Sequence, residues 1–306
     1  MRIGLINQLH GRPNGDHPAP TWNSISERAA VAEAVGFDVF VFEDALLYRW
    51  GEQTDGVWES VSIAAALAAT TSMITIGHSV INSPYRSPAM MASIATTLDE
   101  ISAGRYVLGI GAGNTFDSDY EAFGFPTDRR FSRFAEAIEI IHTLLGTGRV
   151  EFDGEFYSAK DAELVLRGPN KTGPPINIAA GGPKMLGLVA RYADQWNWWA
   201  WDETLDEIRT RFEPIIGALH AALDAEGRDP GTLRRTFDLY SVVPDGFGGE
   251  HGLKKPIAGD SDQIAESILS LREMGFEEVR CDVWPITNEA IEAMQPVVEL
   301  VHRYGD

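Results

Sequence analysis

The stretch Ile176-Asn177-Ile178-Ala179-Ala180-Gly181-Gly182-Pro183-Lys184-Met185 opens the reading of this chain. Ile176–Ala179 has the apolar, β-prone character of a short strand. The two glycines make a turn, and Pro183 suits the first position of a helix because its missing N–H would have no partner there. Lys184–Tyr192 continues with helical period, and Gln195–Trp199 returns to strand. A strand, a tight turn, a helix and a second strand in so few residues form a crossover unit. Such a unit places its two strands parallel and with right-handed connection.

The same rhythm runs outward in both directions. Upstream, Ile3–Asn7 reads as strand and Asn23–Val35 as helix, ending at Gly36, a C-cap residue. Asp38–Phe42 is strand, Trp58–Thr70 helix, Met73–Gly77 strand, Pro88–Ser102 helix, Arg105–Ile110 strand and Phe131–Leu145 helix. Downstream come Leu205–Ala225 as helix and Arg235–Val243 as strand. Ala258–Gly275 contains a helix capped at Ser261 or Asp262. Glu278–Val283 is strand, and Asn288–Tyr304 is the closing helix. Eight strand-then-helix units make an α/β chain that closes as a (β/α)8 TIM barrel, one domain over residues 1–306. Insertions follow strand four (Gly111–Asp128) and strand seven (Pro244–Asp260). A hairpin excursion precedes strand five, with Val150–Tyr157 alternating about Asp153-Gly154 inside Arg149–Pro175. All three are expected at the C-terminal ends of the strands, where barrels carry their sites.

Charge and cysteine content narrow the functions. The chain carries 25 basic and 45 acidic residues, a net charge of −20. A surface of that sign repels phosphate backbones and anionic lipid, so neither nucleic acid nor membrane is an expected partner. Cys281 stands alone, which leaves no internal disulfide and no cysteine metal cage. The seven histidines lack metal-ligand spacing, and no metal is expected. The polar start of the chain and the absence of a long apolar run point to a soluble, cytoplasmic protein.

Several segments could carry chemistry. Gly109-Ile110-Gly111-Ala112-Gly113-Asn114 ends strand four. Its glycines would let backbone approach a flat ring or a phosphate, or would make a tight barrel turn. Ala180–Met185 sets exposed helix N–H groups beside Lys184, one of five lysines, and is an anion site if it faces a ligand. Glu43-Asp44 ends strand two, His78-Ser79 ends strand three and His10 follows strand one, all in the layer that faces a barrel mouth. Trp196, Trp198, Trp199 and Trp201 cluster at strand six, as packing or as a stacking surface for a planar ring.

Together these segments resemble the luciferase-like family of flavin- and deazaflavin-dependent oxidoreductases. The resemblance runs through Ala32–Asp38 with Glu43-Asp44, Ala64–Thr71 with Ile74–Gly77, and Pro88 through Leu98–Arg105. It continues through Leu108–Gly113, Phe123–Phe125, Val150–Tyr157, Pro174–Pro183 and Ala190–Asp194. It implies coenzyme F420 or reduced FMN in the barrel mouth and a cis peptide at Ser79-Val80. It places the cofactor against Asp44, Ser79, Val80, Asn82, Ala112, Gly113, Asn114, Gly181, Gly182, Lys184 and Met185. Asp44 would bond the ring edge or relay a proton, with His10 and His78 as further acid–base groups.

The departures from the family are informative. Asp44 stands where the luciferases proper have a catalytic histidine, and Ala112 where they have an arginine for the FMN phosphate. Ala45 and Asn114 stand where the deazaflavin sugar-phosphate dehydrogenases have a histidine and a glutamate. Light emission and sugar-phosphate oxidation are both disfavoured, and the Gly111–Asn114 loop leans toward the deazaflavin branch. The resulting expectation is an oxidoreductase acting on a small organic substrate. It would transfer hydride with F420 or carry out monooxygenation with reduced FMN, as a homodimer supplied by a separate flavin or F420 reductase. The alternatives are a non-catalytic flavin-binding protein on the same fold and a cofactor-free barrel lyase or isomerase. The loops Phe116–Asp128 and Asp245–Gly259 would shape the pocket, with Phe247-Gly248-Gly249 as a lid.

Overall fold

A computed structural model of the protein describes residues 1–13, 17–113, 118–248 and 254–305. Its centre is a closed ring of eight parallel strands. These are Arg2–Asn7 (β1), Val39–Phe42 (β2), Thr75–His78 (β3), Tyr106–Gly111 (β4), Ile176–Ala179 (β5), Gln195–Trp201 (β6), Arg234–Pro244 (β7) and Glu278–Val283 (β8). Each pairs with its sequence neighbours. The ring closes where Leu5 of β1 lies opposite Cys281 of β8, and Ile178 of β5 lies opposite Ile110 of β4. The enclosing helices are Trp22–Val35 (α1), Ser60–Thr70 (α2), Pro88–Ile101 (α3), Arg130–Thr147 (α4), Pro183–Tyr192 (α5), Leu205–Ala225 (α6), Ser261–Glu273 (α7) and Gln295–Tyr304 (α8). Among the described residues no helix is long and apolar enough to cross a membrane.

Period-two alternation sends alternate strand residues to opposite sides of the ring. On β6 and β8, Trp196, Trp198, Val279, Cys281 and Val283 point outward into the helix-packed core. Trp196 and Trp198 are fully buried against Phe212, Phe237 and Phe276, so two of the four tryptophans are packing residues. Burial pushes the Cys281 thiol pKa up, as expected of a packing residue rather than a reactive one. Inside the ring the alternate set is polar: Asn177, Asn197, Thr236, Asp238, Glu278, Arg280 and Asp282, all buried. Arg280 is the hub. It pairs with Asp238 at 2.7 Å, donates to Thr236 Oγ1 at 3.0 Å and also donates to Asn197 Oδ1.

The excursions differ from expectation in three ways. The hairpin before β5 exists, but its strands are Arg149–Asp153 and Ser158–Glu163, joined by residues 154–157 rather than by a two-residue Asp-Gly turn. Glu136 of α4 explains the wider turn, because its carboxylate accepts the backbone N–H groups of Glu155, Phe156 and Tyr157. The base of this excursion also lies at the opposite end of the barrel from the one expected. The Asn170 N–H bonds Asp99 and its side-chain amide bonds the Gly104 carbonyl, beside the N-terminal end of β4. Only the hairpin tip climbs α4.

A second hairpin, unforeseen in the sequence, follows β2. Leu47–Trp50 pairs with Gln53–Val57, and His10–Gly11 joins as a third strand. It takes the residues just before α2, which starts at Ser60 rather than Trp58, with Glu59 as N-cap. The N-cap of α7 is Asp260, not Ser261 or Asp262. The closing segment is two helices, Asn288–Ala293 and α8, broken at Met294 just before Pro296.

Candidate active site at the barrel mouth

The C-terminal ends of the strands deliver two polar clusters to one end of the barrel. Asp44 centres the first. Its carboxylate accepts both guanidinium arms of Arg86, at 2.7 and 3.0 Å, as well as the Ser60 hydroxyl at 2.6 Å and the Asn82 N–H at 2.9 Å. Arg86 also reaches Glu59 at 2.6 Å. Burial would raise the Glu59 pKa, but bonds from Ser62 and Arg86 hold it down at about 2. Asn82 donates back to the Asp44 carbonyl and accepts from the Tyr120 hydroxyl at 3.0 Å. Asp44 and Asn82 are thus buried and consumed by protein partners, and they build the wall between β2, β3 and β4.

His78 is sealed beneath this wall, 1% exposed, with Nδ1 3.0 Å from the Tyr106 hydroxyl. Burial drives its pKa down to about 4, so the ring is neutral at physiological pH. His10 is the one of the three acid–base candidates that stays partly open. Its Nδ1 lies 2.7 Å from Glu43 Oε1, which also accepts the Leu9 N–H at 2.9 Å. Burial works to lower the His10 pKa, but the hydrogen bond and charge of Glu43, with Asp55 and Asp282 behind, raise it overall. The donor atoms of His10, His17 and Asp55 lie within 4.8 Å of one another, a grouping that the sequence spacing did not announce. Arg12 already pairs with Asp55 at 2.6 Å.

The peptide Ser79-Val80 is cis. Both residues are partly exposed at the mouth, and the Ser79 hydroxyl is bound by Asp238. The glycines of β4 serve the protein's own packing. A Cβ at Gly109 would sit 1.8 Å from the His78 carbonyl, one at Gly111 would meet Val80 at 3.0 Å, and one at Gly113 would strike the Tyr120 hydroxyl. The close approach anticipated for a ligand is made instead by β3 and by the helix Ser118–Phe123 in the loop after β4. Ala112 and Gly113 remain partly exposed, and Asn114 and Gly249 lie outside the described residues.

Across the mouth, Gly182 is the N-cap of α5, and no side chain caps the helix. A Cβ at Gly182 would meet nothing within 4 Å. Lys184 is exposed, with its ammonium 5.7 Å from the Phe131 ring centre and no carboxylate paired with it among the described residues. Gly181 and Met185 are half-buried beside it. Free helix N–H groups, an open backbone and an unpaired cation fit a phosphate group.

The second cluster was missed in the sequence. Asp282 ends the inward row of β8, next to Gln8 and Trp284, with Tyr240 of β7 and Glu43 nearby. Its signal was the alternation Glu278, Arg280, Asp282 in a strand otherwise apolar, which marks polar residues turned into a barrel.

The luciferase-like monooxygenase family model matches residues 1–245, and the chain belongs to that family. An F420-dependent glucose-6-phosphate dehydrogenase of Kineococcus radiotolerans is 34% identical over 175 residues, covering 56% of this chain and 50% of that one. An F420-dependent hydroxymycolic acid dehydrogenase of Mycobacterium tuberculosis is 31% identical over 219 residues, covering 71% of this chain and 58% of that one. The chain spans about half the length of these two relatives, whereas an F420-dependent glucose-6-phosphate dehydrogenase of Intrasporangium calvum, 28% identical, is matched over 87% of its length. The solved structure of an F420-dependent secondary alcohol dehydrogenase in complex with an F420-acetone adduct superposes with a TM-score of 0.81. It does so at 18% identity and covers 98% of each chain, a likeness of fold.

Proposed function

We propose that this protein is an F420-dependent oxidoreductase that transfers hydride to or from a small organic substrate at the mouth of the barrel. The observation that carries the reading is that two relatives of different substrate, a sugar phosphate and a hydroxymycolic acid, are both F420-dependent. What unlike reactions share is the cofactor. When bound, F420 supplies or accepts the hydride.

The residues of this chain do the rest. Gly181, Gly182 and Lys184 at the start of α5 hold a phosphate of the cofactor, with Met185, Ala112 and Gly113 against its body. Ser79 and Val80 would form the surface against the ring, and Asp238 accepts the Ser79 hydroxyl. Asp44, Asn82 and Arg86 keep the adjoining wall rigid, so Asp44 acts by position rather than as a proton relay. His10, oriented through Nδ1 by Glu43, gives or takes the substrate proton that accompanies hydride transfer, since of the three acid–base candidates it alone is partly exposed. Ala45 lacks the acid–base function of the sugar-phosphate enzymes, so the substrate differs from theirs. A separate reductase would recycle the cofactor, and the chain would pair with a second copy of itself.

Fluorescence titration of the purified protein with F420 and with FMN, each oxidised and reduced, tests the reading. Tighter binding of F420 supports it. Binding of reduced FMN alone replaces it with oxygen-dependent monooxygenation, and binding of neither overturns it.

A further inference from the structure

Trp199 and Trp201 take no part in the packing that buries Trp196 and Trp198. On β6 they share the row of Asn197, which faces the inside of the ring, because alternate strand residues point the same way. They stand at the mouth end of that row, and both are exposed, Trp201 at 61%. In register, Trp199 lies opposite Asp238 of β7 and Trp201 opposite Tyr240. The Trp201 ring stands against the Tyr240 ring, with centres 5.1 Å apart and planes 30° apart. Tyr240 in turn packs on the cluster of Ile6, Val39 and Val41 inside the barrel. Single apolar side chains are common on outer surfaces, but these sit in an inward row at the site and are backed by a fixed phenol.

The aromatic wall adjoins Ser79-Val80. Asp238 Oδ2 accepts the Ser79 hydroxyl, and the Tyr240 hydroxyl lies 3.5 Å from that same oxygen. The polar groups of this layer are used within the protein. Asp238 also accepts the Asn197 amide at 3.0 Å and pairs with Arg280 at 2.7 Å. Arg280, the cation of these rows nearest the mouth, is buried and donates its remaining bonds to Asn197 and Thr236. Beside Trp201, the Asp202 carboxylate accepts the Lys254 and Lys255 N–H groups, and the Lys255 ammonium is paired with Glu207. A phosphate or carboxylate laid on Trp201 would find its cations in these rows already committed. A sugar would find few free donors or acceptors. A flat, uncharged ring system matches the wall, because its face covers the indole and it brings no charge to desolvate.

We propose that Trp199, Trp201 and Tyr240 form the substrate subsite, and that the substrate is an uncharged planar compound, aromatic or conjugated, stacked on the Trp201 indole. Trp201 is the residue that sets this specificity. The inference rests on the proposed function for the cofactor that the substrate meets at Ser79-Val80.

Isothermal titration calorimetry of the full chain, with and without F420, tests it with three probes. Coumarin is flat and neutral, coumarin-3-carboxylate is flat and anionic, and glucose 6-phosphate is neither flat nor neutral. Coumarin should bind in both conditions, about tenfold more tightly than either anion. Trp201→Ala should weaken coumarin by roughly threefold to tenfold, the scale of an aromatic pair, and Trp201→Phe should restore most of the loss. Should Trp201→Ala not fold, Trp201→Leu keeps apolar bulk without the ring and should show the same weakening. The affinity for F420 should change less than about twofold in each variant, a split that a general loosening of the mouth would not give. Absence of coumarin binding, or coumarin affinity that is the same in parent and variants, overturns the proposal. Equal or tighter binding of either anion also overturns it, and a preference for the carboxylate would assign Lys254 a substrate charge. Competition between coumarin and F420 overturns it as well, since the probe would then occupy the cofactor's place. If F420 does not bind while coumarin affinity depends on Trp201, the cofactor reading falls and the aromatic subsite stands. If F420 binds and coumarin does not, the subsite falls alone.

Discussion

Asp44 and His10 end neighbouring strands, yet their surroundings assign them opposite work. Asp44 has both oxygens committed and lies against the Arg86 cation. Removing its charge leaves Arg86 with Glu59 alone. Asp44→Asn should therefore cost about 3–5 kcal/mol of stability in urea unfolding, as for a buried ion pair broken on one side. A variant of unchanged stability but reduced turnover would instead place Asp44 in the chemistry. His10 makes one strong side-chain bond and is partly exposed. His10→Asn should lower kcat by about 100-fold, the scale of a lost general acid or base, with the melting temperature nearly unchanged. Both residues were visible in the sequence as polar ends of apolar strands. Which of them faces the opening was not visible, because that depends on Arg86 folding back from the segment after β3.

At the scale of elements, two contacts decide local structure. Gly109 lets β4 pass the His78 carbonyl, where a Cβ would sit at 1.8 Å with backbone as its neighbour. Gly109→Ala should lose about 3 kcal/mol or prevent folding, since only a backbone shift relieves the overlap; near-parental stability would show that β3 can move. Glu136 holds the tip of the Arg149–Glu163 excursion through three backbone N–H groups. Burial opposes ionisation, but the three bonds together lower the Glu136 pKa, so this support is present above the ordinary carboxyl range and fades as pH falls below it. Glu136→Ala should speed amide hydrogen exchange at residues 155–157 by tenfold or more while leaving α4 protected.

The eight-unit rhythm and the excursion before β5 could be read from periodicity and from Asp153-Gly154. The hairpin Leu47–Val57 had a fainter signal. Gly51, with φ of 62°, opens its two-residue turn, but the arms carry charge at Arg49 and Asp55 and do not alternate cleanly.

For the molecule as a whole, charge and buried titration set the response to solvent. A net charge of −20 repels itself, so raising salt from about 0.05 to 1 M should raise the melting temperature by screening. Asp282 and His10 both have raised pKa values in the folded state. Each binds its proton more tightly folded than unfolded, so each contributes stability at acid pH that is lost as pH rises, for Asp282 between the ordinary carboxyl range and about 7. The lowered pKa values of Glu59 and Glu136 act in the opposite sense at lower pH. Stability should therefore peak near the ordinary carboxyl range, about pH 4–4.5, and decline toward pH 8. Asp282→Asn should remove much of that decline, a gain of order 2 kcal/mol at pH 8. A parent protein whose unfolding free energy is flat from pH 5 to 8 would rule this out.

The sequence alone determined the barrel, the acidic surface, the family and the set of strand ends from which a site must be built. These rest on hydrophobic period, on turn residues and on counts of charge, which are local properties and survive in one dimension. Only the tertiary structure decided which of those ends do what. It buried Asp44 and His78, left His10 partly exposed against Glu43, packed the glycine run against the His78 carbonyl and the Val80 and Tyr120 side chains, and set Asp282 at the mouth with no cation paired to it among the described residues. Proton affinity and reach depend on what comes within a few ångströms from other strands, and that neighbourhood exists only once the ring has closed.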